Sequence, residues 1–159
     1  MMSKNKSYYF PGLIFLVLSF FSAYKLIDWA GSYHYFLTIL LICISTDMGG
    51  YIFGRIFKGP KLTKISPKKT YSGMAGSFFL SLSFSYIFIL ISDLEIKNLI
   101  IIPLILSLIS QIGDLLVSYL KRNAKIKNTG SLLPGHGGLL DRLDGMLFTL
   151  PIGIYLMSL

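Results

Sequence analysis

Apolar and polar positions along this chain separate into long blocks. One apolar block runs from Tyr8 to Tyr24, a second from Gly31 to Gly54 with only Asp47 charged, and a third from Thr70 to Ser92 with no charge. A fourth, Asn98 to Leu120, contains only Asp114, and a fifth runs from Gly145 to Leu159. An α-helix of about 20 apolar residues spans the hydrocarbon core of a bilayer, and backbone polar groups in lipid must be satisfied within the helix itself. The pattern therefore predicts an all-α, polytopic integral membrane helical bundle of about five transmembrane helices. The fifth block is the shortest, so Leu139 to Met146 is expected to help complete its span. Lys4 and Lys6 ahead of the first block suit a signal peptide, but the block outruns a usual signal core and no small-residue cleavage pattern follows it. A retained helix is expected there.

Composition agrees with the block pattern. The chain is 53% hydrophobic, has a mean hydropathy of +0.67, and only 14% of its residues are charged, too few for the surface of a soluble domain of 159 residues. The single cysteine, Cys43, lies inside an apolar block, so no disulfide forms within one chain. A net charge of +8 raises the question of nucleic acid. The basic residues, however, fall in the gaps between apolar blocks and form no basic domain, so no nucleic-acid partner is expected. Anionic membrane lipids and nucleotide phosphates are the expected counterparts. With the N-terminus inside, every Lys and Arg except Lys25 and Lys97 falls on the cytoplasmic side, which by the positive-inside rule sets the C-terminus outside. That topology gathers Asp47, Asp114, Asp141 and Asp144 near the cytoplasmic face and leaves Asp28, Asp93 and Glu95 opposite.

A carboxylate inside a transmembrane helix is costly unless paired, hydrated or bound to metal, which makes Asp47 and Asp114 functional candidates. The polar run from Ser118 to Gly145, SYLKRNAKIKNTGSLLPGHGGLLDRLDG, contains a second acidic pair. Asp141 and Asp144 are three apart and share one face of a helical turn. With Asp114 they form a set of hard oxygen ligands suited to Mg²⁺, which completes its shell with water and substrate phosphate. The glycines around His136 let backbone N–H groups approach an anion. The other polar loop, RIFKGPKLTKISPKKT from Arg55 to Thr70, carries Pro60 and Pro67 and cannot be continuous helix. Its Lys68 and Lys69 are placed to meet phosphate. Gly50 and Gly54 have small-xxx-small spacing, which lets a neighbouring helix come close, and Gly73, Ala75 and Gly76 are expected to do the same on the third helix.

Three ordered motifs resemble the phosphatidate cytidylyltransferase (CDP-diglyceride synthase) family. The first is Ser118, Lys121, Arg122, Lys127, His136, Gly137, Gly138, Asp141, Arg142 and Asp144; the second is DMGGYIFGRIFKGPKLTKISPKKTYSG from Asp47 to Gly73; the third is QIGDLL around Asp114. The resemblance runs from about Thr46 to Leu159. It implies a C-terminal catalytic membrane domain over 46–159, with 1–45 as N-terminal membrane segments and the two forming one structural unit. The implied reaction joins CTP and phosphatidate into CDP-diacylglycerol and pyrophosphate, at the cytoplasmic face of a bacterial inner membrane. Implied roles are Mg²⁺ binding for Asp114, Asp141 and Asp144, with Lys69 also catalytic. Lys68, Lys69, Lys121, Arg122 and Arg142 are implied on phosphates, and His136, Gly137 and Gly138 at the nucleotide or leaving group. Asp47 is implied as a further ligand or a positioning acid. Three positions depart from the family pattern, with Ser72, Val117 and Asn128 standing where carboxylates are usual. The family usually has more helices ahead of the Asp47 helix, so the alternatives are a minimal enzyme, a homodimer whose second copy completes the lipid groove, or a shortened inactive member that only binds lipid or nucleotide. A related CTP-dependent lipid enzyme, of the CDP-archaeol synthase or polyprenol kinase type, is the remaining alternative.

Overall fold

The computed structural model describes residues 9–29, 33–63, 66, 69–92, 94, 98–126 and 140–158. They form five helices: α1 (Tyr9–Trp29), α2 (His34–Phe57), α3 (Tyr71–Ile91), α4 (Ile101–Asn123) and α5 (Leu140–Ser158). Each apolar block has become one helix. By length and composition α2, α3 and α4 can each cross a bilayer, and α5 contributes a shorter apolar stretch, Leu143–Met157. The protein is thus an all-α integral membrane bundle. Helix ends run beyond the blocks where charge is tolerated. α1 continues through Lys25 and Asp28 to Trp29, and α5 begins at Leu140, adding the DRLD turn to its span.

Large apolar side chains point outward, among them Leu13, Val17, Phe21, Phe79, Ile87 and Tyr155, while the interior is rich in hydroxyls. Ser19, Thr38, Ser45, Thr46, Ser77, Ser81, Ser85, Ser107, Ser110 and Thr149 are all buried. Lipid tails are as apolar as leucine, so burial of apolar area cannot sort these helices; small residues that allow close approach and hydroxyls that bond across helices do so instead. Four such bonds tie the bundle: Ser19 Oγ to the Leu147 carbonyl (2.8 Å), Ser77 Oγ to the Thr46 carbonyl (2.6 Å), Thr46 Oγ1 to Ser107 Oγ (2.8 Å), and Cys43 Sγ with Thr149 Oγ1 (3.1 Å). A smaller aliphatic core of Leu26, Ile39, Ile42, Ile89, Ile102, Leu106 and Leu150 fills the other end.

The bond from Ser19 has a specific cause. Pro151 lies inside α5 and has no N–H to give to the carbonyl four residues back, which is that of Leu147. In lipid that carbonyl is destabilising if left bare. The Ser19 hydroxyl, reaching from α1, occupies it.

α2 and α3 form the closest pair. A Cβ on Gly49 would collide with the Gly76 carbonyl, one on Gly73 would stand 2.7 Å from the Gly50 carbonyl, and one on Gly76 would strike the Phe53 ring. The expected small-residue contact therefore exists on both helices. Ala75 does not share in it: it lies between Gly73 and Gly76 along the chain but turns to the exposed side of α3.

Candidate active site

Four helix ends meet at one end of the bundle. α2 stops at Lys58, which takes a left-handed conformation (φ 43°) and turns the chain into Gly59 and Pro60. The loop then folds back on itself: Lys61 and Thr70 form an antiparallel bridge, the Leu62 amide donates to the Lys69 carbonyl (2.8 Å), and the Tyr71 amide donates to the Pro60 carbonyl (3.1 Å). Thr70 caps α3, its hydroxyl accepting from the Gly73 amide at 3.1 Å. Both ends of the loop are thereby anchored, so Lys69 is held at a set place over the bundle end.

α4 supplies the opposite wall. Gln111 and Asp114 are three apart and Lys121 is seven beyond Asp114, so all three share one face. Lys69 Nζ is ion-paired with Asp114 Oδ2 and also reaches the Gln111 carbonyl at 3.5 Å. α5 enters across this face. Ser110 lies against Gly145, where a Cβ would stand 2.5 Å from its hydroxyl, and Gly113 lies against Phe148. Because Gly145 admits this approach, its neighbour Asp144 is brought to Asp114, and the two carboxyl groups come within hydrogen-bonding reach of each other. Asp144 Oδ1 accepts from the Gly145 amide at 2.9 Å, and Oδ2 faces Lys121 Nζ at 3.7 Å.

The result is a row of four charged side chains, two aspartates flanked by two lysines, Lys69–Asp114–Asp144–Lys121, contributed by the loop, α4 and α5. Its two ends differ in wetness. The Lys69 and Asp114 side chains are 26% and 28% exposed, those of Lys121 and Asp144 14% and 10%. Two ionised carboxylates this close repel, and the flanking lysines oppose that repulsion. Paired carboxylate oxygens are hard donors of the type Mg²⁺ takes, so the donor set fits that ion. Among the described residues no group of three or more metal-ligating side chains occurs. Asp141 lies one turn before Asp144 on the α5 backbone, and its side chain, like that of Arg142, falls outside the described residues.

Beside the charges opens a cavity of about 240 Å³, bounded by Thr46, Asp47, Gly50, Tyr51, Leu62, Ser66, Lys69, Thr70, Gly73, Met74, Ser77, Gln111 and Asp114. Of the residues singled out by sequence, the fold thus joins Asp114, Asp144, Lys69 and Lys121 directly and places Asp47 in the adjoining cavity. Arg122 is exposed in the last turn of α4, next to the cluster along the chain. Lys68, His136, Gly137 and Gly138 lie outside the described residues, as does Asn128. Ser72 does not line the cavity; it accepts from the Gly59 amide (3.3 Å) and meets Thr70 Oγ1 (3.0 Å), pinning the α2–α3 turn. Val117 is half-buried one turn beyond Asp114. Sequence reasoning passed over Gln111, Thr46 and Ser77 as site residues. Gln111 stands one turn before Asp114 in an apolar block, but a lone amide there carries no charge or period to mark it.

The sequence profile of the cytidylyltransferase family matches residues 2–159. The phosphatidate cytidylyltransferase of Staphylococcus saprophyticus is 43% identical over 122 residues, covering 75% of this chain and 47% of that protein. The phosphatidate cytidylyltransferase of Bacillus subtilis is 41% identical over 128 residues, 79% of this chain and 48% of that protein. That of Staphylococcus haemolyticus is 43% identical over 122 residues, 75% of this chain and 47% of that protein. The chain spans about half the length of the curated relatives it matches. A profile match over nearly the whole chain, with relatives of this identity, shows that the chain belongs to the cytidylyltransferase family.

Proposed function

We propose that this chain transfers a cytidylyl group from CTP to phosphatidate at a membrane surface, yielding CDP-diacylglycerol and pyrophosphate. The observation that carries the reading is the Lys69–Asp114–Asp144–Lys121 cluster at one end of an apolar bundle, beside a cavity that Lys69 and Asp114 help to line. In the reaction a phosphate oxygen of phosphatidate bonds to the α-phosphorus of CTP, and the bond from that phosphorus to the bridging oxygen of the β-phosphate breaks, the electron pair leaving with pyrophosphate. Neither bond change needs a covalent nucleophile from the protein. What it needs is two anionic substrates held in line and their charge neutralised.

Each element has a share in that task. Lys69, held by the folded-back loop, and Lys121, at the end of α4, offer compact mobile cations for phosphate oxygens. Asp114 and Asp144, with Asp141 one turn away, are the residues that would hold Mg²⁺. When bound, the ion would lower the repulsion between nucleotide and lipid phosphate. Large apolar side chains on the bundle surface keep the acyl tails in hydrocarbon while the headgroup meets the cluster. The basic loops flanking the site support a cytoplasmic orientation in a bacterial inner membrane, since Lys and Arg are retained on that side.

Purified protein in mixed micelles with phosphatidate, Mg²⁺ and labelled CTP tests the proposal. Labelled CDP-diacylglycerol is expected, formed only with the divalent ion. No lipid product under these conditions would overturn the reading.

A further inference from the structure

The cavity contains a donor that the transfer step does not use. Gln111 Nε2 is fully buried and has no hydrogen-bond acceptor among the described residues. A buried amide left unmet is destabilising, and such groups mark places where a ligand supplies the partner. The other polar groups deep in the cavity are already committed: Ser77 donates to the Thr46 carbonyl, Thr46 donates to Ser107, and Thr70 accepts from the Gly73 amide. Gln111 lies one helical turn from Asp114, about 4.5 Å along α4, on the side away from Lys121. Asp47, from α2, lines the same space and presents only acceptors when ionised.

Size limits what enters. Pockets for whole drug-sized ligands run from roughly 300 Å³ upward, and about 240 Å³ holds a single ring. Its walls include Tyr51, Leu62 and Met74, apolar or aromatic surfaces suited to a flat base. Building on the nucleotide reading above, we propose that this cavity reads the pyrimidine base: Asp47 accepts from an exocyclic amine while Gln111 donates to the adjacent ring nitrogen, an acceptor in cytosine and an N–H in uracil. Cytosine offers that sequence of donor and acceptors. Uracil has a carbonyl oxygen in place of the amine and would face the Asp47 carboxylate with like partial charge, so the site rejects it by repulsion. With the base there, the phosphates extend toward Lys69 and the aspartate pair.

Equilibrium binding of labelled CTP and UTP to the full chain in mixed micelles tests this, with turnover measured in parallel. Wild-type protein is expected to prefer CTP. Gln111→Leu, which keeps the packing volume, should weaken CTP binding by about ten-fold or more, with the KM for phosphatidate changed less than about two-fold. Asp47→Asn, at an exposed position, should narrow the CTP-over-UTP preference even if Gln111→Leu fails to fold. Equal loss of both nucleotides in Gln111→Leu, a shift in phosphatidate KM instead of CTP binding, or unchanged preference in Asp47→Asn would each overturn base reading while leaving cytidylyl transfer standing. Wild-type protein that binds no CTP and makes no CDP-lipid would overturn both.

Discussion

The α2–α3 seam and the α4–α5 crossing are both close helix contacts, and they are made in opposite ways. Along α2–α3 the contact is neutral, glycine against backbone, with Gly49 on Gly76 and Gly50 on Gly73. At α4–α5 Gly145 admits Ser110 and Gly113 admits Phe148, and beside them Asp114 and Asp144 come together with a lysine on each side. The first contact depends on volume and the second on charge. A membrane protein with little hydrophobic force between its helices sets its geometry at the seam and spends that rigidity at the crossing, where like charges must be held together.

Substitutions that separate volume from charge break or sharpen this contrast. The largest effect is expected for Asp144→Asn, which keeps volume and removes charge. Turnover should fall by about 10³-fold, roughly 4 kcal/mol of barrier, with expression and elution from size exclusion as for wild type. Full activity would remove Asp144 from the site. Gly49→Leu does the reverse, adding volume with no charge against the Gly76 carbonyl. A loss of about 3 kcal/mol or more is expected, read as a lowered thermal transition in detergent or as aggregation; a wild-type transition would show that the seam yields.

Lys69→Ala tests the wetter end of the charge chain. The KM for CTP should rise by about ten-fold and the KM for phosphatidate by less; equal changes would count against a nucleotide role. The smallest effect belongs to Ser19→Ala, distant from both contacts. It bares the Leu147 carbonyl that Pro151 already leaves without a helical donor, and should cost about 1 kcal/mol of stability with kcat unchanged. A simultaneous Pro151→Ala change restores the missing amide and should recover most of that loss, whereas additive loss would mean that the hydroxyl does not serve the carbonyl.

Several residues of the candidate site could be singled out from the sequence. Asp114 was marked by its cost in an apolar block, Asp144 by its spacing from Asp141, and Lys69 by its place in a proline-broken basic loop that leads into an apolar block. Gln111 was missed because a single amide in an apolar block has no period or charge to set it apart; only the cavity around it, and the commitment of Thr46 and Ser77 elsewhere, distinguishes it. Ser72 was weighed as a lost carboxylate near a cation, and the fold instead gives it to the Gly59 turn. That bond joins residues 13 apart across a loop, a separation no local pattern encodes.

By itself the order of apolar and polar residues determined a bundle of five helices and a one-sided distribution of charge, because in lipid each span must satisfy its own backbone and its length must match the bilayer. Which helices touch, and therefore which acids meet, was decided only in the tertiary structure. Asp114 and Asp144 are separated by a long polar run and belong to different spans, and it is the absence of a side chain at Gly145 that lets α5 come near enough to α4 to bring them together. Pairing of spans rests on shape and on bonds across helices, which depend on three-dimensional contact and leave no regular mark along the chain.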